Sequence, residues 1–220
     1  MIKQILLDKA INSIQRHLQR GLPWLNAIFG RAYKITEQSD NGQFTYPAIY
    51  QGDGDYLSML PNDMFGNFCW FDIYDPQRVI TITPRRYQTE IKGALIFWLD
   101  ITSMYEDVGF LYPNFSGDFD KSFLVGRASL GQVNLNTLKD SESPVILTGH
   151  LYTEEIKNEI LKALTSNVLS SAGKIEIDEV YERFENIYKG YSTETVGKQY
   201  FLHPYAGLRI EFTLTLKELC

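Results

Sequence analysis

The last stretch of the chain alternates apolar and polar side chains. Every second residue from position 208 to 216 is apolar, namely Leu208, Ile210, Phe212, Leu214 and Leu216. The residues between and after them are Arg209, Glu211, Thr213, Thr215 and Lys217. Because successive side chains of a β-strand point to opposite faces, this pattern predicts a long strand. One face would lie on a core, and the other would face water or a partner.

A second strong strand is predicted over residues 90–101. Residues 94–99 form a continuous apolar run, which is typical of a strand that is buried on both faces. We expect it at the centre of the sheet, covered by a helix on one side and by chain or a partner on the other. Shorter strands are predicted at residues 33–37, 44–50, 67–74 and 79–83.

Three helices are predicted from apolar residues at three- and four-residue spacing. The first covers residues 2–19, with Gly21 as its stop. The second covers residues 153–166 and begins with Thr153 as its cap. The third covers residues 178–189. The apolar faces comprise Ile2, Ile5 or Leu6, Ala10, Ile14 and Leu18; Ile156, Ile160, Leu161 and Leu164; and Val180, Phe184 and Ile187.

These elements predict an α+β fold in a single domain over residues 1–220. A mainly antiparallel sheet would be flanked by an N-terminal helix and one or two later helices. From residue 102 to 151 the periodic pattern weakens, which indicates a long, loop-rich insertion within the domain. Loops of this length inside a compact domain are often functional or are ordered by a partner.

Composition and charge narrow the classes of function. The chain is 44 % hydrophobic, which is enough to form a hydrophobic core without stabilising cross-links. Its two cysteines, Cys69 and Cys220, form no disulfide framework. Neither an uninterrupted apolar signal segment nor a run of about 18 apolar residues is present. We therefore expect a soluble protein that is assembled in a reducing cytoplasm. The net charge of −6 and the lack of a basic run argue against tight binding of nucleic acid.

The sequence contains no recognisable catalytic or metal-binding motif. The three histidines have no second histidine or cysteine at ligand spacing, and the phosphate-cradling and nucleophile-elbow motifs are absent. The acidic stretch 52–56 raises the alternative of a calcium loop, but Leu57 and the lack of a glutamate before Glu90 favour a turn. We expect no cofactor and no enzymatic activity. A carboxylate site hidden among the 27 acidic residues is the remaining enzymatic alternative.

The order of elements resembles a family of ring proteins in tailed bacteriophages. It runs from an N-terminal helix through several strands and an insertion to a helix and a closing strand led by residues 205–212. In this order the chain is similar to tail-terminator, tail-completion and neck (head-to-tail connector) proteins. The resemblance covers roughly residues 1–101 and 150–217, with strand 94–101 and helix 154–166 in the family's core positions. The short-tailed crAss-like phages are one group in which such a ring would fit.

The resemblance implies a virion structural protein that is assembled in the host cytoplasm. A homo-oligomeric ring would seal or join neighbouring rings around the DNA channel, in contact with portal, adaptor or tail components. DNA would pass without sequence-specific binding, and no membrane would be involved. The candidate subunit contacts are Trp24, Tyr56, Phe110 and Tyr112, each of which is alternatively a core or ordinary loop residue. The alternative function is that of a monomeric or dimeric cytoplasmic adaptor domain that binds other proteins.

Overall fold

The computed structural model describes residues 6–39, 42–83, 86–100, 149–165, 169, 173–201 and 205–219. The fold is α+β, as predicted. The helices are α1 (Leu6–Gly21), α2 (Gly149–Thr165), α3 (Phe184–Ile187) and a 3-10 helix (Lys198–Phe201). The strands are β1 (Ala27–Arg31), β2 (Tyr33–Ser39), β3 (Gly42–Gly52), β4 (Asp55–Ser58), β5 (Phe68–Ile73), β6 (Arg78–Thr83), β7 (Arg86–Asp100), β8 (Gly173–Tyr181) and β9 (Tyr205–Leu219). Among these residues no helix is both long and apolar enough to cross a membrane.

The larger sheet is built around β7 and β9, which pair antiparallel along their whole length. Its order is β1-β5-β7-β9-β8, and β6 also pairs with β7. β5 and β6 lie end to end along one edge of β7, because β5 pairs with residues 93–98 and β6 with residues 86–90. β1 runs parallel to β5 alone, whereas all other pairs in this sheet are antiparallel. β2, β3 and β4 form a separate three-stranded sheet.

β7 is buried on both faces in its apolar half, as the sequence predicts. Leu95, Phe97 and Leu99 join a core with β9 and the two long helices. Helix α1 contributes Leu7, Ala10, Ile11, Ile14 and Leu18, and α2 contributes Ile156, Ile160 and Leu164. Helix α2 begins at Gly149, so the prediction that Thr153 caps it was wrong. Threonine in a helix costs well under 1 kcal/mol, about 0.7 at most, so the helix continues through this position.

The opposite face of β7 is covered by the chain itself. Ala94, Ile96 and Trp98 belong to a second core with Phe68 and Trp70 of β5. The segment that follows α3 closes this core, and apolar residues of β3 and β4 pack against it. The sequence left open whether the chain or a partner would cover this face of β7, and the structure shows that the chain does.

The polar face of β9 is buried over part of its length, which corrects the expectation of a face open to water or a partner. Arg209 is only 3 % exposed. Its Nη1 donates to the carbonyl of Ile187 at 3.0 Å, and its Nε donates to Glu211 at 3.3 Å. The guanidinium also contacts Asp72 and Tyr74 of the β5 region. The alternation of apolar and polar residues identified the two faces of β9. It did not reveal that α3 and the chain beside it would cover the polar face.

The predicted helix over residues 178–189 was wrong for most of its length. Residues 173–181 form strand β8, and only Phe184–Ile187 is helical. The register of β8 against β9 shifts between Ile177 and Glu179, which places Asp178 in a bulge. The extra residue brings Val180 back to the face of Ile177, because a bulge inserts one residue into a strand. This three-residue spacing imitates a helical period.

Candidate interaction surface

The hairpin between β3 and β4 places two tyrosines side by side. Asp53 and Gly54 have φ values of 51° and 91°, the backbone conformation of a two-residue turn that suits Asp-Gly. The turn sets Gly52 opposite Asp55, and a register shift then sets Tyr50 opposite Tyr56. Directly opposed residues share a face of the sheet, so both rings project from the same side.

Three exposed tyrosines make up the candidate surface, which we call the tyrosine cluster. Tyr33 is 57 % exposed, and Tyr50 and Tyr56 are each 49 % exposed. The Tyr56 ring lies 6.2 Å from that of Tyr33 in an edge-on arrangement and 5.3 Å from that of Tyr50. Tyr56 therefore links the other two into a row across all three strands.

The small sheet beneath the tyrosine cluster is fixed to the rest of the molecule. The buried hydroxyl of Tyr188 donates to the carbonyl of Met59, the residue after β4, at 3.2 Å. Ser192 and Thr45 exchange two hydrogen bonds, of 2.7 Å from the Ser192 N–H and 3.0 Å from the Thr45 N–H. The sheet that carries the tyrosine cluster is therefore held to the rest of the molecule by hydrogen bonds.

Exposed aromatic side chains of this kind are suited to binding protein. Tyrosine gives a large contact area at low conformational-entropy cost and is enriched at the centres of protein interfaces. Ring–ring contacts further restrict the three side chains before any partner arrives. The exposed carboxylates of Asp53 and Asp55 at the hairpin tip supply a polar margin.

The four candidate contacts from the sequence fall in different environments. Tyr56 lies at the centre of the tyrosine cluster. Trp24 is half-buried, and its Nε1 donates to Oε2 of Glu159 at 3.0 Å, which ties this segment to α2. A contact role for Trp24 stays a prediction. Phe110 and Tyr112 lie outside the described residues. Sequence reasoning missed Tyr33 and Tyr50.

Polar groups elsewhere in the described chain connect elements of the fold. Asp63 accepts hydrogen bonds from Tyr200 and Tyr205 at 2.7 Å and 2.8 Å. The bond to Asp63, followed by burial, raises the pKa of Tyr205 to about 12. Burial also raises the pKa of the Cys69 thiol, which keeps it protonated and a poor nucleophile.

A groove of about 350 Å³ lies beside α1. It is lined by Asn12, Gln15, Arg16, Gln19, Leu25, Asn26 and Ile28. This lining contains no carboxylate, imidazole or thiol, so it offers no acid–base pair. Within the ranges that the structure covers, no group of three or more His, Cys, Asp or Glu side chains could hold a metal ion.

No protein-family model matches the chain, and no curated protein is similar to it in sequence.

Proposed function

We propose that the chain is a structural subunit of a tailed-phage virion that assembles with its own copies into a ring. The ring would lie at the head-to-tail junction or in the tail and would seal or join its neighbours around the DNA channel. The observation that carries the proposal is the tyrosine cluster, which lies on a sheet that is hydrogen-bonded to the rest of the molecule. The resemblance in element order supplies the virion setting.

Ring assembly needs two different surfaces on one subunit. When unlike patches of identical subunits bind head to tail, the contact repeats and closes if the rotation permits. Stable contacts bury about 800 Å² on each partner, with a few aromatic anchors contributing most of the binding energy. The tyrosine cluster supplies anchors of that type, and the remaining contact area would come from the surface around it.

The charge of the chain suits a protein that DNA passes without binding. The net charge of −6 opposes adhesion to phosphates, and 21 basic residues are outnumbered by 27 acidic ones. Partners would accordingly be proteins, namely further copies of the chain and portal, adaptor or tail components.

Mass photometry and negative-stain electron microscopy of the purified chain would test the proposal. We expect closed rings of one size and, in a proteome of purified phage particles, the chain itself. A monomer or dimer at every concentration, together with absence from particles, would overturn the proposal. In that case the tyrosine cluster would serve the alternative adaptor function, and a pull-down that depends on Tyr56 would identify the bound protein.

A further inference from the structure

Strand β6 belongs to the large sheet but contributes nothing to either core. None of residues 78–82, whose burial the structure describes, is among the buried core residues or among those packed against them. Val79 is 63 % exposed and Ile82 is 54 % exposed, in an uncharged β-branched run from residue 79 to 83. Ile80, the third apolar residue of the strand, is half-buried. A sheet strand that leaves two of its three apolar side chains mostly exposed is suited to a contact outside its own subunit.

β6 is also an edge strand. It pairs with β7 on one side, and in the described part of the chain no strand lies on its other side, because β1 extends along β5 only. Proteins usually protect such edges with charges or bulges. The opposite edge, β8, has both protections, since it contains a bulge at Asp178 and the exposed charges of Lys174, Glu176 and Glu179. β6 also contains a bulge, at Ile82, but it has no charge beyond Arg78.

We propose that β6 of one copy pairs antiparallel with β8 of the next copy, so that the large sheets join around the ring. This inference rests on the proposed function, because it names a contact between ring subunits in addition to that of the tyrosine cluster. The occupant of the β6 edge is a second copy of this chain.

The direction of the strands fits this pairing. β6 and β9 both run antiparallel to β7, and β8 runs antiparallel to β9, so β6 and β8 point in opposite directions. A copy placed beside the sheet in the same orientation therefore offers β8 as an antiparallel partner. Because the two edges differ, each copy retains one free β6 and one free β8, and the contact can repeat until it closes.

The charges on the two edges are complementary on the same face of the sheet. Arg78 lies in register with Glu90, which lies in register with Thr215 and so with Lys174. Glu176 and Glu179 project from that same face further along β8. Carboxylates outnumber lysine on β8, so two β8 strands repel, whereas β8 attracts the exposed Arg78.

The first test is the double variant Val79→Lys/Ile82→Lys, which adds the charges that natural edge strands use for protection. Its matched control is Met64→Lys, at a side chain that is 74 % exposed and lies away from this edge. We expect mass photometry to show a loss of rings for the double variant at a concentration where the control assembles fully. Both variants should melt as the wild-type monomer does, since neither site is buried.

The second test is disulfide cross-linking in a Cys220→Ser background. Arg78→Cys is combined with Lys174→Cys, Glu176→Cys or Glu179→Cys, which samples the three nearest registers on one face. We expect one combination to give a ladder of covalent oligomers and Arg78→Cys alone to give none.

The outcomes separate the two proposals. Rings that survive Val79→Lys/Ile82→Lys and yield no ladder would overturn the β6–β8 contact while the ring itself stands. A covalent dimer from Arg78→Cys alone would show β6 paired with β6 and would also overturn it. A wild-type chain that never forms rings would overturn the proposed function.

Discussion

Nη2 of Arg209 lies 3.2 Å from Oδ2 of Asp72, so a cation from β9 and a carboxylate from β5 meet across the strand between them. Ala94 on that middle strand is in register with both Asp72 and Glu211, and its small side chain leaves room for the guanidinium. The guanidinium also binds the carbonyl of Ile187, at the end of α3. One side chain thus connects three elements that are distant in sequence.

Replacing Arg209 by methionine is expected to lower the free energy of unfolding by about 3–5 kcal/mol, because it leaves the largely buried carboxylate of Asp72 without its cationic partner. The matched control is Lys174→Met, which removes the cation of an exposed pair with Glu176 and should change stability by about 1 kcal/mol or less. Urea denaturation of both variants measures the difference. Equal effects from the two substitutions would contradict the structural role of Arg209.

The variant Tyr50→Ser/Tyr56→Ser should weaken assembly by at least about tenfold, since aromatic anchors commonly contribute more than about 1.4 kcal/mol each. The stability of the monomer should fall by about 1 kcal/mol at most, because only a cross-strand pair on an exposed face is lost. Mass photometry over a dilution series gives the first quantity, and thermal unfolding gives the second. Met64→Ser is the control for loss of exposed apolar surface, and an equal effect on assembly from that control would argue against the tyrosine cluster.

Gly93→Ala should destabilise the centre of the large sheet. A Cβ at this position would lie 2.7 Å from the carbonyl oxygen of Asp72 and 3.1 Å from the Phe212 ring. The first contact is with backbone, so overpacking should cost about 1–3 kcal/mol. Gly30→Ala in β1 is the control, since no atom lies within 4 Å of the added carbon. Thermal unfolding should separate the two variants by at least about 2 °C, and equal melting temperatures would refute the packing argument.

The raised pKa of Tyr205 predicts a loss of stability at alkaline pH. In the folded chain the hydroxyl keeps its proton up to a pKa of about 12, above the ordinary value of 10.0 for the unfolded chain. The stabilisation is complete below about pH 10 and is lost as pH rises toward 12, because the unfolded state then binds fewer protons. Denaturation across this range should show a shallower decline for Tyr205→Phe than for the wild type. Asp63→Asn should reduce the slope in the same way, and an unchanged slope in both variants would contradict this assignment.

The sequence predicted correctly the elements in which the spacing of apolar residues matches the face that the structure buries. β9 and the buried faces of α1 and α2 follow this rule, because one side of each lies on the core between the helices and the sheet. β7 was predicted from a continuous apolar run instead, because both of its faces are buried in its apolar half. β8 did not, since the bulge at Asp178 broke its two-residue period. The burial of Arg209 could not be predicted, because its partners come from β5 and from the end of α3.

The tyrosine cluster was predictable only in part. The Asp53–Gly54 turn limits how β3 and β4 can pair, and so brings Tyr50 near Tyr56 once both strands are assigned. The contact of Tyr33 with Tyr56 crosses from β2 to β4 over the middle strand. It depends on the small side chain of Ala48, the register partner of Tyr33, and on the twist of the sheet. No pattern along the chain reports that twist.

The pairing of Asp100 with Tyr205 has a consequence for the speed of folding. About a hundred residues separate these two positions along the chain. The entropy lost when such a loop closes grows with the logarithm of its length. Before β9 pairs with β7, the apolar side chains of β7 that face the helices are exposed. At that stage β8 has no strand to pair with. Non-local pairings of this kind make folding slow. Intermediates that lack β9 would therefore be the species that a chaperone binds.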